Sequence, residues 1–209
     1  MGYILFPKCQ LLRIIGRIAF PIFAFMIAEG CYYTKNKARY FFGIFCLALI
    51  CQIVFFVFAK SLDMGILVTF SLSILVIYAL ENVKETLCMP QIALFVSLLA
   101  LVYIINIYIN IDYGFWGTMT PVLAFVFKRT KRTPSVFLQK MDRVYIHALV
   151  MSVGLFFVSL NLRGVQFYSF LSLPFIMAYS GKRGRWNIKS LFYIFYPVHL
   201  AVLYLISII

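Results

Sequence analysis

Long apolar runs separated by short polar joints make up nearly the whole chain. They fall at Ile14 to Tyr33, Tyr40 to Ala59, Leu62 to Leu80, Pro90 to Ile109, Tyr113 to Phe127, Val144 to Leu160, Val165 to Tyr179 and Leu191 to Ile208. A membrane-crossing helix takes roughly 20 mostly apolar residues to traverse about 30 Å of hydrocarbon, where each backbone amide must be satisfied within its own segment. The pattern therefore predicts an all-α fold, a polytopic transmembrane helix bundle of about eight spans, the fifth and seventh being the shortest. Residues 1–209 read as a single integral membrane domain, with no separate soluble part.

Composition agrees. The chain is 64% hydrophobic and 12% charged, where a soluble domain is about half apolar and about a quarter charged. Its rings fit a lipid-facing bundle, because Phe packs against acyl chains while Tyr and Trp settle at headgroup level. The net charge of +13 does not imply a nucleic-acid partner, since the cations sit in short clusters between apolar runs and no nucleic-acid motif accompanies them. Their natural counterpart is anionic membrane lipid. Five cysteines show no CxxC spacing, so they read as small packing residues. The first apolar run lacks a small-residue cleavage site and leads straight into further spans, so no cleaved leader is expected.

Counting cations on alternate sides sets the expected orientation, because basic loops stay cytoplasmic. One side holds Lys35, Lys37, Arg39, Lys84, Lys128, Arg129, Lys131, Arg132, Lys140, Arg143, Lys182, Arg183, Arg185 and Lys189, which is 14 of the 19 basic residues. Eight spans then put both termini outside. The expected location is the cell membrane, multi-pass, as in a bacterial inner membrane. The longest joint, Lys128 to Arg143, is read either as a surface for anionic headgroups or as a phosphate-binding surface.

Ionisable groups inside spans cost several kcal/mol unless paired or hydrated, so each is a candidate for function. Arg17 and Glu29 share the first span but lie about 18 Å apart along a straight helix, too far to pair with each other. Arg17 belongs with Asp63, Asp112 and Arg163 near the outer side, and Glu29 with the first basic loop; a structural ion pair at each end is the plainer reading. His199, beside Pro197, falls near mid-membrane, either as a proton acceptor or as a hydrogen-bonding link to another helix. His147 reads as an ordinary headgroup-level histidine. The GKRG stretch from Gly181 to Gly184, followed by Arg185, offers a permissive backbone and cations able to grip phosphate oxygens, as an ordinary positive-inside loop also would. HExxH, GxSxG, paired metal-ligand spacing and a Rossmann glycine pattern are all missing from the sequence, which removes support for a hydrolase or metalloenzyme.

Taken in order, GRIAFPIFAFMIAEG (Gly16 to Gly30) with Thr34, DYG (Asp112 to Gly114), GKRG and YPVHL (Tyr196 to Leu200) resemble the TraX family of conjugation-associated membrane proteins. The resemblance implies a membrane acetyltransferase of the multi-span acyltransferase type, with acetyl-CoA as co-substrate and pilin acetylation as the plasmid-encoded activity. Carried onto this chain, it implies that Arg17, Glu29, Asp112, Tyr113, Lys182, Arg183, Tyr196 and His199 line the site. The expected roles are catalysis by His199, Glu29 and Asp112, acyl-CoA binding by Lys182, Arg183 and Arg185, and acceptor binding by Arg17, Tyr113 and Tyr196. The acceptor would be a peptide amine or a glycan hydroxyl. Relatives usually begin with a further apolar helix ending in Asp-His-Ile-Gly, and here the chain starts at about that glycine, so a shortened and inactive homologue is also open. A transport or assembly factor, with its buried charges lining a path, is the reading from another class.

Overall fold

Hydrocarbon offers a backbone amide no partner, and the described segments meet that constraint with helices. The computed structural model describes residues 10–59, 64–109, 111–129, 136–162, 164–181 and residue 198. The elements in order are α1 (Gln10–Tyr33), α2 (Lys37–Ala59), α3 (Ile66–Thr86), α4 (Met89–Tyr108), α5 (Gly114–Phe125), α6 (Val136–Met141), α7 (Val144–Leu162), a 3-10 helix (Gly164–Ser172) and α8 (Leu173–Met177). Among the described residues five helices, α1 to α4 and α7, are long and apolar enough to cross a membrane.

Two of the expected spans take another form. The fifth is the 12-residue α5, about 18 Å long and so well short of the hydrocarbon thickness. The seventh is the 3-10 helix continued by the single turn of α8. The eighth, Leu191 to Ile208, lies outside the described residues apart from Val198. The joint from Lys128 to Arg143 contains α6.

Burial follows helical spacing. In α1 the buried residues include Phe20, Ala24, Ile27, Ala28 and Cys31, the i, i+4, i+7 stripe of a helix that presents one face to its neighbours. In α7 the stripe is His147, Met151, Leu155 and Val158. α3 and α5 occupy the centre, and almost all of α5 is enclosed. α4 fully buries only Val102 and packs Phe95, Leu98 and Leu99 against the core, leaving a broad apolar face exposed.

Hydroxyls inside the bundle bond to backbone carbonyls. Ser73 Oγ lies 2.8 Å from the carbonyl oxygens of both Thr69 and Thr118, joining α3 to α5. Thr120 donates to the Trp116 carbonyl, and Trp116 stacks on Phe157 of α7 with ring centroids 4.1 Å apart. α5 and α7 approach so closely at Gly154 that an added Cβ would stand 3.0 Å from Leu123 Cδ1 and 3.1 Å from Thr120 Oγ1. At Gly16 an added Cβ meets nothing within 4 Å.

This contrast gives the first prediction. Gly154→Leu should overpack the α5–α7 seam and cost about 1–3 kcal/mol, whereas Gly16→Ala should be neutral or slightly stabilising. Thermal unfolding of the two variants in one detergent checks it; equal midpoints would show that the seam is not tight.

Candidate functional site

Two polar clusters sit at opposite ends of α1. The first is built on the joint between α4 and α5. Asp112 N–H donates to the Met64 carbonyl (2.9 Å) and Thr69 Oγ1 donates to the Asp112 carbonyl (2.8 Å), so the turn is pinned to the start of α3. Pinning matters because Tyr113, the residue before α5, has φ +64°, a left-handed conformation in which a Cβ is crowded. Gly114 follows with φ +61°, and Gly117 leaves room for the Tyr113 side chain where an added Cβ would collide with it. The spacing of DYG and the glycine three residues on is thus dictated by this turn.

The turn delivers the Tyr113 ring onto α1. Tyr113 stacks on Phe20 at 4.0 Å, and Phe20 lies parallel to Phe70 of α3. The Arg17 guanidinium is 5.5 Å from the Tyr113 ring centroid, within the range of a cation–π contact. Pro21 lacks an N–H, which frees the Arg17 carbonyl from its usual helical partner. Arg17 and the Asp112–Tyr113 turn, nearly a hundred residues apart in sequence, therefore meet at one place.

The second cluster gathers at the basic end. Glu29, near the end of α1, pairs with Lys128 just beyond α5, and both side chains are buried. The Lys128 ammonium also lies 5.0 Å from the Tyr32 ring centroid and 5.7 Å from that of Tyr33. Lys84 of α3 donates to the carbonyls of Phe125 (2.9 Å) and Lys128 (3.3 Å), closing the open end of α5. Arg129 donates to Tyr32 Oη at 3.0 Å and stands 3.5 Å from Asp142 Oδ2. His147 Nε2 is 2.8 Å from Asp142 Oδ1. Beside them, Lys37 of α2 pairs with the buried Glu81 of α3 at 2.8 Å.

Burial works to raise the Asp142 carboxyl, but the hydrogen bond and charge of His147, the charge of Lys128 and the Arg129 backbone N–H together hold it below its ordinary value. The stability it contributes is therefore complete above the usual carboxylate range and is lost as pH falls through the depressed value.

Glu29 finds its cation after α5, not in the first basic loop. Lys128, read as a headgroup-facing cation, is inside. His147, read as a headgroup-level residue, is 2% exposed and tied to Asp142. The spacing of Asp142 and His147 across the start of α7 was the available signal for that pair. Lys182, Arg183, Arg185, Tyr196 and His199 lie outside the described residues.

These features define a polytopic helical membrane protein with a buried polar cluster at each end of its first long helix. The chain belongs to the TraX family, whose model, described as TraX protein, matches residues 1–207. No curated protein and no solved structure matches it.

Two outcomes are expected. Lys128→Met should destabilise by about 3–5 kcal/mol by leaving Glu29 buried without its partner, and adding Glu29→Gln should recover much of the loss; additive losses in unfolding measurements would show no coupling. Asp142→Asn should flatten the fall in stability between about pH 5 and the acid limit; an unchanged acid profile would remove Asp142 as its source.

Proposed function

We propose that the chain is a membrane-embedded acetyltransferase that moves an acetyl group from acetyl-CoA to an amine or hydroxyl of a peptide or glycan acceptor. The observation that carries this reading is the left-handed Tyr113 beside Arg17. A bulky residue held in that region costs about 1–3 kcal/mol and persists where the surroundings over-determine it, a situation concentrated at functional sites. It occurs here inside one of the motifs that carry the family resemblance, and it brings a second motif residue, Arg17, against the ring.

In this reading Lys182, Arg183 and Arg185 hold the phosphates of the donor at the cytoplasmic face, because guanidinium and ammonium groups make charge-assisted bonds to phosphate oxygens. Arg17, Tyr113 and Tyr196 orient the acceptor and Asp112 sets the charge beside them, while Glu29, paired with Lys128 at the other end of α1, holds the basic end together. His199 takes the proton that the acceptor nitrogen or oxygen gives up as its bond to the acetyl carbon forms. It returns that proton to the thiolate as the carbon–sulfur bond breaks, so protons balance over the cycle. General-base action of this kind contributes about 10²–10⁴-fold.

The test is transfer of labelled acetyl from acetyl-CoA to an acceptor peptide by the purified chain in lipid nanodiscs. His199→Ala should lower the rate at least about 100-fold and Tyr113→Phe should raise the acceptor KM, while Asp142→Asn should leave the rate nearly unchanged at neutral pH. Equal rates for wild type and His199→Ala would remove that base. No labelling of peptide or glycan, together with no stabilisation by CoA, would instead favour a transport or assembly factor.

A further inference from the structure

The 3-10 helix carries a polar face turned inward. With three residues per turn, side chains at i, i+3 and i+6 line up. Here those positions are Gln166, Ser169 and Ser172, which are 1%, 0% and 0% exposed. Phe167, Tyr168 and Leu171, on the other faces, are 45–52% exposed. The segment packs against α1 and α7, so the polar row lies in the seam between them.

The row is left chemically open. Both the oxygen and the nitrogen of the Gln166 carboxamide, and the Ser169 hydroxyl, are buried without a hydrogen-bond partner among the described residues. Ser172 donates to the Ser169 carbonyl at 2.7 Å. An unsatisfied buried polar group costs about 1–3 kcal/mol, and two neighbours with the same defect on one face are not incidental. The winding is itself unusual. Runs of 3-10 helix beyond about 3–4 residues are uncommon, and this one has 9. Wound as an α-helix, Ser172 would be displaced by about 120° from Gln166 and the row would be broken. The tighter winding keeps it straight over about 12 Å, with polar groups about 6 Å apart.

Its direction follows from its ends. The Gln166 carbonyl lies 3.5 Å from Ser159 Oγ near the end of α7 remote from the basic cluster. After α8, Tyr179 packs edge-on against Phe25, one turn from Glu29. The row thus points from the basic end toward the end where Tyr113 sits.

We propose that Gln166, Ser169 and Ser172 form a binding track for the pantetheine arm of an acyl thioester, with the Gln166 carboxamide pairing with an amide of the arm. A carboxamide presents a donor and an acceptor together, the complement of a secondary amide. The pantetheine arm carries two such amides and a hydroxyl on an extended chain, a repeat that a row of polar groups about 6 Å apart can follow. The inference rests on the acetyl-transfer reading, since it supplies the route by which a donor anchored at the basic face reaches the interior.

The experiment compares thermal stabilisation of the full chain in nanodiscs by coenzyme A and by 3′-phospho-ADP, the same nucleotide without the arm. Wild type should be stabilised more by coenzyme A. In Gln166→Met that advantage should shrink to the nucleotide level and coenzyme A should bind at least about 10-fold more weakly, while the ligand-free midpoint holds or rises because an unpaired amide is gone. Ser169→Ala should move the same way and serves as the second variant should Gln166→Met misfold. Equal stabilisation of wild type by both compounds, or a full coenzyme A advantage in either variant, would overturn the track while leaving acetyl transfer standing. Stabilisation by neither would overturn both.

Discussion

A polar atom surrounded by hydrocarbon has no water to fall back on, and this single constraint shapes the molecule at every scale. It makes the segments helical, and it sends the buried hydroxyls of Ser71, Ser73, Thr69 and Thr120 to backbone carbonyls. It also directs Lys84 back onto the carbonyls that α5 leaves open. Among the described residues Gln91, Asn106 and His147 also keep a buried polar atom without a hydrogen-bond partner, whereas Gln166 and Ser169 do so together on one face.

α1 is the element through which the two ends of the bundle are related. Its single buried stripe carries Phe20 toward the Tyr113 turn and Glu29 toward Lys128. The two clusters differ in character. At the Tyr113 end a guanidinium faces aromatic rings around a strained backbone. At the basic end the charges are mostly paired, and the chain Tyr32–Arg129–Asp142–His147 fastens the residues on either side of α6 to α1 and α7. The first arrangement stores strain, while the second ties Arg129 and Asp142 to α1 and α7.

Much of this was written in the hydrophobic pattern. α1 to α4 and α7 lie where apolar runs predict them, because length and hydropathy decide whether a segment crosses a membrane. The same pattern could not separate a spanning helix from the short α5 or from a 3-10 helix, since all three are apolar runs and differ only in winding and in how deeply neighbours enclose them. Within the site, Arg17 and Tyr113 were legible through their motifs, but their contact depends on the left-handed turn, which a Tyr-Gly pair only hints at. Lys128 and His147 were read as surface residues because they sit beside basic joints; their burial comes from the way α5 stops short and α7 begins, which is a tertiary matter.

The shortness of α5 has a further result. Its 12 residues cover about 18 Å of a layer about 30 Å thick, so its last carbonyls end inside the bundle, where Lys84 takes up those of Phe125 and Lys128. The buried Glu29–Lys128 pair lies beside that end, one turn inside the end of α1. Enclosed in this way, the two charges are screened little by solvent and act chiefly on each other. Stopping a helix short thus makes lysines part of the interior, one closing open carbonyls and the other neutralising a carboxylate.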